Sequence, residues 1–201
     1  MILRSSGPSP FGRKVKMVAK ILGIYDRLTV EMSNTNDPQD TLRQQNPLGK
    51  IPILILEDGR KIFDSRVICE YLDAQVDGIT LHPTESDARW EALTLQALGD
   101  GIVDASILQV YENRMRPEDK RHEDWLSYQA DKVKRSLDQL AQTPPSLEGD
   151  LTIGHVAIAC ALGYLDLRFE GKWRASYPAL VAWLDAFRAR VPAFDATKFE
   201  G

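Results

Sequence analysis

The sequence lacks most of the features that mark extracellular, membrane or nucleic-acid-binding proteins. Its 201 residues include only two cysteines, Cys69 and Cys160, too few for a disulfide framework or, by themselves, a metal cluster. No apolar run approaches the roughly 18 residues of a membrane span, and residues 1–16 lack the apolar core of a signal peptide. A formal net charge of -4 provides no basic field for nucleic acid or anionic membrane. We therefore expect a cytoplasmic protein with no bound metal and no membrane or nucleic-acid partner.

What remains is the composition of an ordinary folded protein, with 43% hydrophobic and 27% charged residues. A chain of 201 residues can bury a core without metals or disulfides, and it suits one large domain or two small ones. Strand and helix signals alternate in the first part of the chain, and the strand signals then stop. We therefore predict a first domain at residues 1–77, a linker at 78–86 and an all-helical domain at 87–201.

The first domain is predicted to hold a small mixed sheet with helices on both faces. Ser9 and Pro10 suit the N-cap and first residue of a helix that Gly23 ends. An Asp-Gly pair at 58–59, between two apolar runs, is typical of a hairpin. The predicted elements are strands at 1–4, 28–32, 53–56 and 61–63 and helices at 10–22, 37–45 and 66–73. This order favours an α/β, thioredoxin-like arrangement.

The second domain is predicted to be an all-α helical bundle. Its centre is an almost wholly apolar helix, and Gly99 and Gly101 in the first long helix indicate either a kink or a close approach of another backbone. The predicted helices span 87–115, 117–142, 152–168 and 178–190. Several large apolar side chains of the predicted helices are expected to face a core, among them Val67, Trp90, Leu108 and Tyr111.

Residues 46–72 contain two groups that could hold a peptide-like anion. A cis bond between Ile51 and Pro52 would turn the Ile51 amide and carbonyl outward, where they could pair with an extended ligand; an ordinary trans proline at a strand start is the alternative. Ser65 at a helix N-terminus could bind a carboxylate, and Asp64 beside it could accept from an ammonium group. Carboxylate and ammonium together describe the end of an α-amino acid.

Three further side chains could take part in such a site. Lys50 can reach a second carboxylate, although a solvated loop lysine would look the same in the sequence. Ser9 and Ser6 lie at the mouth of the first predicted helix, where a hydroxyl can donate to an anion that the helix N-terminus already favours. A plain N-cap is the alternative role for Ser9.

In combination, these segments make the chain resemble the glutathione S-transferase family, and most of all its bacterial members with a Ser-Pro-Phe opening. The resemblance covers essentially the whole chain. It is carried by the segments SPFGRKVKM, NPLGKIPIL, FDSRVICEYL and LTIGHVAIACALGYL.

The resemblance implies a thioredoxin-like domain that binds glutathione as co-substrate, without a prosthetic group, and a helical domain that helps to bind a small electrophile. It implies a cis bond at Pro52 and pairing of Ile51 with the cysteinyl backbone of glutathione. It also implies that family members are usually homodimers. The residues implied to bind glutathione are Phe11, Lys50, Ile51, Pro52, Asp64 and Ser65.

The group that activates the glutathione sulfur is predicted to be Ser9, with Ser6 in reserve. In serine-type relatives the activating serine often lies one position earlier, where Pro8 stands, whereas Ser9 matches the active cysteine of glutaredoxin-like and omega-like members. We expect conjugation of the glutathione thiolate to an electrophile. The alternatives are a glutathione-dependent peroxidase or disulfide reductase at the same site, and a non-catalytic glutathione-binding or scaffold module.

The helical domain contains one departure from the family pattern and three candidate pocket residues. The usual acidic residue of the central helix's capping box is replaced by His155, three residues after Thr152, and we interpret it as a structural cap. Arg89, Tyr111 and Trp173 are candidates for lining the electrophile pocket.

Overall fold

The computed structural model describes residues 1–199, which form two compact units. The first consists of Met1–Ser86 together with residues 191–199, and the second is Asp87–Arg190. The boundary after Ser86 lies where the sequence predicts the helical domain to begin. Residues 191–199 group with the first unit, whereas the sequence analysis assigned them to the helical domain.

The first unit has the thioredoxin-like arrangement that the sequence predicts. A four-stranded mixed sheet has the strand order β2-β1-β3-β4, in which β1 and β2 are parallel and the other two pairs are antiparallel. The strands are β1 (Ile2–Ser5), β2 (Thr29–Met32), β3 (Ile53–Ile55) and β4 (Lys61–Ile62). Gly59, with φ of 83°, lies in the predicted turn between β3 and β4.

Helices α1 (Pro10–Ile21) and α3 (Ser65–Asp73) pack against each other and, with the sheet, form the core of this unit. Their apolar faces and the inner strand residues are fully buried, including Leu3, Val15, Met17, Leu54 and Ile68. The helices of the first unit are α1 (Pro10–Ile21), α2 (Leu42–Gln45), α3 (Ser65–Asp73) and α8 (Ala193–Ala196), with α8 packing on α1.

The predicted helix at 37–45 is wrong, because only its last turn, α2, is helical. Asp37 and Asp40 accept hydrogen bonds from backbone amides two residues ahead, a pattern that competes with helix formation. The buried Arg4 then ties this segment to β1 by donating to Asp40 at 2.7 Å. Hydrogen bonds from the backbone amides of Asn34 and Leu42, with the Arg4 charge beside them, lower the pKa of Asp40.

The predicted linker is held to α3 by a buried carboxylate. Asp73 accepts from the amides of Leu81 and His82, from the Thr80 hydroxyl, and lies 2.8 Å from the His82 ring nitrogen Nδ1. Burial would raise the pKa of Asp73, but these hydrogen bonds outweigh it and lower the pKa below its usual value. The chain after α3 is therefore anchored rather than loosely tethered.

The second unit is a bundle whose centre is α6, buried at every position from Ile153 to Leu165. Gly99 and Gly154 let α4 and α6 approach closely: a Cβ on Gly99 would lie 2.7 Å from the Ala157 carbonyl carbon. The predicted close approach is thus confirmed at Gly99, whereas Gly101 faces open space. The helices are α4 (Ser86–Met115), α5 (Glu123–Gln142), α6 (Ile153–Phe169) and α7 (Pro178–Arg190).

Three details of the helix predictions are wrong. The second long helix begins at Glu123 rather than 117, because a short 3₁₀ turn intervenes and the His122 ring accepts from the Trp125 amide. The N-cap of α3 is Asp64, not Ser65. Large apolar side chains predicted to face a core are exposed to between 39% and 62%, namely Val67, Trp90, Leu108 and Tyr111.

Of the helices within residues 1–199, none has the length and apolar character that crossing a bilayer demands.

Candidate functional site

The sheet brings three separate chain segments to one of its ends. Since Arg4 pairs with Ile53 in an antiparallel ladder, β3 starts where β1 ends. Since Leu54 pairs with Ile62, β4 also ends there. The residues just beyond these strand ends are the loop at 6–9, the Ile51–Pro52 peptide that precedes β3, and the start of α3 at 64–65. These are the three segments that the sequence analysis singled out, and the topology places them side by side.

The loop before β3 is held by its own asparagine. Asn46 is buried, donates through its side chain to the Lys50 carbonyl at 2.9 Å, and accepts from the Leu48 amide at 3.0 Å. The Ile51–Pro52 peptide is cis, as the resemblance implies. Within residues 1–199 no hydrogen bond uses the Ile51 amide or carbonyl. Asn46 is a residue that the sequence analysis missed, although Asn followed by Pro and Gly is a recognisable turn signal.

The start of α3 presents a carboxylate and a helix N-terminus together. Asp64, exposed and preceded by a second cis peptide, caps the helix by accepting from the Arg66 amide at 2.9 Å. Ser65 is the first helical residue and is 2% exposed. In the described part of the chain its backbone amide has no protein acceptor, as is normal for the first turn of a helix. An anion at this helix end would meet unpaired N–H groups and the favourable end of the helix dipole.

The start of α1 is similar, but it carries a hydroxyl. Ser9 is the N-cap, and its Oγ accepts from the Gly12 amide at 3.1 Å. No acceptor within residues 1–199 takes the Ser9 hydroxyl proton, so this group can still donate to a ligand. Pro10 has no N–H, which leaves the Phe11 amide as the next backbone donor of this helix end. Ser6 lies in the same loop, where its carbonyl accepts from the Ser9 amide at 3.2 Å.

Gly12 leaves room at the start of α1 for the hydroxyls of Ser5, the last residue of β1, and Ser9. A Cβ at Gly12 would lie 2.0 Å from the Ser5 Oγ and 3.3 Å from the Ser9 Oγ. Any larger residue would push both hydroxyls aside. Glycine is needed here for space rather than for backbone conformation.

The other candidates for chemistry are Lys50, the two cysteines and any group of metal-ligating side chains. Lys50 is exposed and lies next to Ile51 in the chain. Cys69 and Cys160 are both buried, so neither offers an accessible thiol. Residues 1–199 contain no group of three or more histidine, cysteine, aspartate or glutamate side chains that could hold a metal ion.

The helical unit contains an aromatic groove of about 800 Å³ that includes one of the three predicted pocket residues. Tyr111 lines it together with Trp125 and Tyr128, whose rings stack at 6.0 Å. Trp173 is buried instead, donates to Asp166, and lines a separate apolar cavity of about 160 Å³. Neither of these two cavities is lined by both Tyr111 and Trp173. The other residues of the groove are Leu108, Glu112, Met115, Arg116, His122 and Asp124.

His155 is a structural cap, as the sequence analysis interprets it. Its Nδ1 accepts from the Thr152 amide at 2.9 Å, and its Nε2 lies 2.9 Å from the Ser146 carbonyl, which requires a proton on Nε2. Both contacts belong to the neutral ring. Burial is the main cause that lowers the pKa of His155, and the nearby Arg190 charge adds to it, so the ring is neutral at pH 7.

Comparisons with known proteins agree with this geometry. Residues 8–75 match the family model for the glutathione S-transferase N-terminal domain, and residues 101–186 match the one for the C-terminal domain. An uncharacterised GST-like protein of Escherichia coli K12, YibF, is 34% identical over 94% of this chain and 95% of its own length. A crystal structure of a glutathione transferase family member from Pseudomonas fluorescens Pf-5, with bound glutathione, is 40% identical and superposes with a TM-score of 0.93 over 100% of this chain and 99% of that one.

A second structure of a family member from the same strain contains bound S-(propanoic acid)-glutathione, and it is also 40% identical, with a TM-score of 0.90 over the full length of both chains. The fold, the two domain matches and these full-length relatives agree with one another. The chain belongs to the glutathione S-transferase family.

Proposed function

We propose that this protein is a glutathione transferase of the bacterial Ser-Pro-Phe type, which conjugates the thiolate of glutathione to small electrophiles. The observation that carries the proposal is the convergence of three ligand-binding features at one end of the sheet. These features are the unpaired Ile51 backbone, the N-terminus of α3, and the Ser9 hydroxyl at the N-terminus of α1.

Each part of glutathione has a matching group among these segments. The backbone of its cysteinyl residue would pair with the Ile51 amide and carbonyl, beside Pro52. The γ-glutamyl carboxylate would accept from the Ser65 end of α3, and the γ-glutamyl amine would donate to Asp64, whose second carboxylate oxygen has no partner among the described residues. The glycyl carboxylate would lie near Lys50. This assignment places the cysteinyl sulfur towards the loop at 6–9.

The reaction needs the sulfur as thiolate, which Ser9 and the start of α1 would stabilise. A thiol with a pKa of about 8.5 is only a few per cent ionised at neutral pH. Lowering that pKa by about 2 units takes ~2.7 kcal/mol of preferential thiolate stabilisation. A hydroxyl donor from Ser9, an amide donor from Phe11 and the helix dipole are together of the right size. The thiol proton passes to solvent, a C–S bond forms, and the leaving group departs with its electron pair.

Two further observations support conjugation over a protein-thiol mechanism. Both cysteines are buried, so the protein has no thiol at the loop to form a mixed disulfide with glutathione. The relative from Pseudomonas fluorescens that binds S-(propanoic acid)-glutathione holds a sulfur-substituted glutathione.

The experiment compares wild type with Ser9→Ala and Ser6→Ala in two measurements. Calorimetry with glutathione tests the binding assignment, and turnover of 1-chloro-2,4-dinitrobenzene and a panel of other electrophiles tests the reaction. We expect wild type to bind and to turn over. Ser9→Ala should lose about 10- to 100-fold in kcat with little change in the glutathione Kd, because its hydroxyl acts on the sulfur rather than on the peptide.

The outcomes separate the competing functions. Binding with turnover of only hydroperoxides or 2-hydroxyethyl disulfide would assign a peroxidase or reductase. Tight binding without any turnover would assign a glutathione holder, and no binding would assign a scaffold and overturn the site. A drop in kcat for Ser6→Ala instead of Ser9→Ala would move the activating role to Ser6.

We also propose that the protein acts as a cytoplasmic homodimer in the detoxification of electrophiles. Reduced, buried cysteines suit a reducing compartment. Exposed Leu48 and Val67 in the first unit, at 65% and 52%, are apolar surface that a second copy could cover. Light scattering of the purified protein should yield twice the mass of one chain; the mass of one chain would remove this part of the proposal.

A further inference from the structure

The end of the described chain returns to the loop that carries the candidate catalytic serine. Residues 191–199 belong to the first unit, and α8 packs on α1. These contacts are formed by residues about 180 positions apart in the chain. We call residues 191–199 the C-terminal segment.

The first contact is a buried arginine on α1. Arg13 is 9% exposed, donates through Nη2 to the Phe194 carbonyl at 2.7 Å, and stacks its guanidinium 4.2 Å from the centre of the Phe194 ring. Its own amide donates to the Ser9 carbonyl at 2.9 Å, which places it one turn after the N-cap. Burying a guanidinium is costly unless its N–H groups are hydrogen-bonded. The hydrogen bond to the Phe194 carbonyl therefore holds Arg13 in one position against the C-terminal segment.

The second contact is on the loop itself. The ring of Phe199 occupies the space where a side chain at Gly7 would be: a Cβ there would lie 2.4 Å and 2.5 Å from two ring carbons. The φ angle of Gly7 is outside the left-handed region, unlike that of six other glycines. Glycine is therefore needed at position 7 because of Phe199 and not because of the backbone. The peptide at Gly7 lies between Ser6 and Ser9, whose backbones are joined by a hydrogen bond.

We propose that the C-terminal segment is a clamp that positions the Ser9 hydroxyl, with Phe199 and Arg13 as positioning residues. The clamp holds α1 one turn after Ser9 and the loop two residues before it. A hydroxyl that must donate to a sulfur anion tolerates little displacement, since a misplacement of about 1 Å can cost ~100-fold in rate. This inference rests on the proposed function, because it assigns the clamp an effect on the glutathione sulfur.

The decisive variant is Phe199→Ala, which removes the ring and leaves every proposed glutathione contact in place. We expect the pKa of the bound glutathione thiol, measured by the ultraviolet absorbance of the thiolate, to rise by about one unit, with kcat near neutral pH falling by about tenfold. The Kd for glutathione should stay within about twofold, since Ile51, Ser65 and Lys50 are unaffected. Phe199→Tyr, which keeps the ring, should behave as wild type.

Tyr25→Ala is the matched control. Tyr25 is also a half-buried aromatic residue of the first unit, and its ring lies 4.2 Å from the Lys20 ammonium at the far end of α1. Losing it removes an aromatic ring from the first unit without touching the loop at 6–9. The thiol pKa and kcat should not change in this variant.

Two readouts separate the clamp from the proposed reaction. Hydrogen exchange of the Ser9 and Gly12 amides in the glutathione-free protein should be faster by about tenfold in Phe199→Ala than in Tyr25→Ala. Gly7→Ala should lower kcat by forcing the ring away, and this loss should be largely absent when Phe199→Ala is already present.

The failures are distinguishable. If wild type does not bind glutathione, the proposed function fails, whereas the hydrogen-exchange comparison still tests the contact. If wild type binds and turns over, but Phe199→Ala matches Tyr25→Ala in thiol pKa, kcat and amide exchange, the clamp is overturned and the function stands. Additive effects of Gly7→Ala and Phe199→Ala would also overturn it.

Discussion

The candidate ligand-binding segments of the first unit and the start of α6 in the second differ in whether their backbone polar groups are hydrogen-bonded within the protein. In the first unit, the described contacts leave the Ile51 peptide and the Ser65 amide without protein partners. In the second, the corresponding helix start is closed: His155 accepts from the Thr152 amide and contacts the Ser146 carbonyl. The start of α6 thus pairs its polar groups within the helical unit, whereas the first unit leaves the Ile51 peptide and the Ser65 amide unpaired among the described residues.

The two units also differ in why they require glycine at particular positions. In the α4–α6 pair, glycine is needed for backbones to touch, as at Gly99. In the first unit, Gly7 and Gly12 are needed because side chains occupy the space next to them: Phe199 at Gly7, and Ser5 and Ser9 at Gly12. A substitution in the helical pair should therefore cost stability, and one at the sheet end should cost binding or rate.

The largest effect should come from Gly99→Ala. Its Cβ would clash with the backbone of Ala157 and Ile158, which cannot move as a side chain could, so we expect a loss of about 3 kcal/mol of unfolding free energy. Gly101→Ala is the matched control on the same helix; with nothing within 4 Å it should gain about 0.5–1 kcal/mol from helix propensity. Urea unfolding measures both. Equal effects at the two glycines would mean that close approach is not what requires Gly99.

Substitutions of Asp64 should have the next largest effect, and they separate its capping of α3 from its proposed contact with glutathione. Asp64→Ala should lose the N-cap of α3, about 1 kcal/mol of unfolding free energy. It should also weaken glutathione binding by removing the charge that we propose meets the γ-glutamyl amine. Asp64→Asn keeps a capping side chain and loses only the charge, so its stability should be near wild type while glutathione affinity falls by about tenfold, ~1.4 kcal/mol. Thermal unfolding and calorimetry check the two halves. If Asp64→Asn binds glutathione as tightly as wild type, Asp64 is a cap alone.

The smallest effect is the pH dependence contributed by His155. Its pKa is lowered in the folded protein relative to about 6.5 in the unfolded chain, so the unfolded state binds more protons between these two values. The stabilisation is fully present above pH ~6.5 and is lost as the pH falls through the folded-state pKa. His155→Gln retains an acceptor without titrating, so the stability difference between wild type and this variant should shrink and reverse on acidification. A difference that does not depend on pH would contradict the neutral-ring cap.

Much of the fold was predictable because its signals are local. The N-cap at Ser9, the turn at Gly59 and the buried length of α6 each depend on residues a few positions apart. The same is true of the candidate binding segments, since Ile51–Pro52 and Asp64–Ser65 are adjacent pairs. The resemblance to the glutathione S-transferase family implies glutathione as their ligand.

Where the predictions were wrong, the structure depends on contacts that helical periodicity does not include, either side-chain bonds to nearby backbone or contacts with residues far along the chain. The helix predicted at 37–45 is reduced to one turn by aspartate–backbone bonds, one of which is anchored by Arg4 from 36 residues away. Trp90 and Tyr111 fit an amphipathic pattern but are exposed, because a pattern identifies a face and not what covers it.

By itself, the sequence determined the order of the strands and of the long helices, the start of α1 at Ser9–Pro10 and the candidate glutathione-binding segments, since capping, turn formation and periodicity act over a few residues. Only the tertiary structure decided that three of these segments meet at one end of the sheet, and that Phe199 rests on Gly7 beside Ser9. Strand register and the return of the C-terminal segment join residues tens to nearly two hundred positions apart. Such contacts depend on the packed shape of the whole unit, which no local pattern contains.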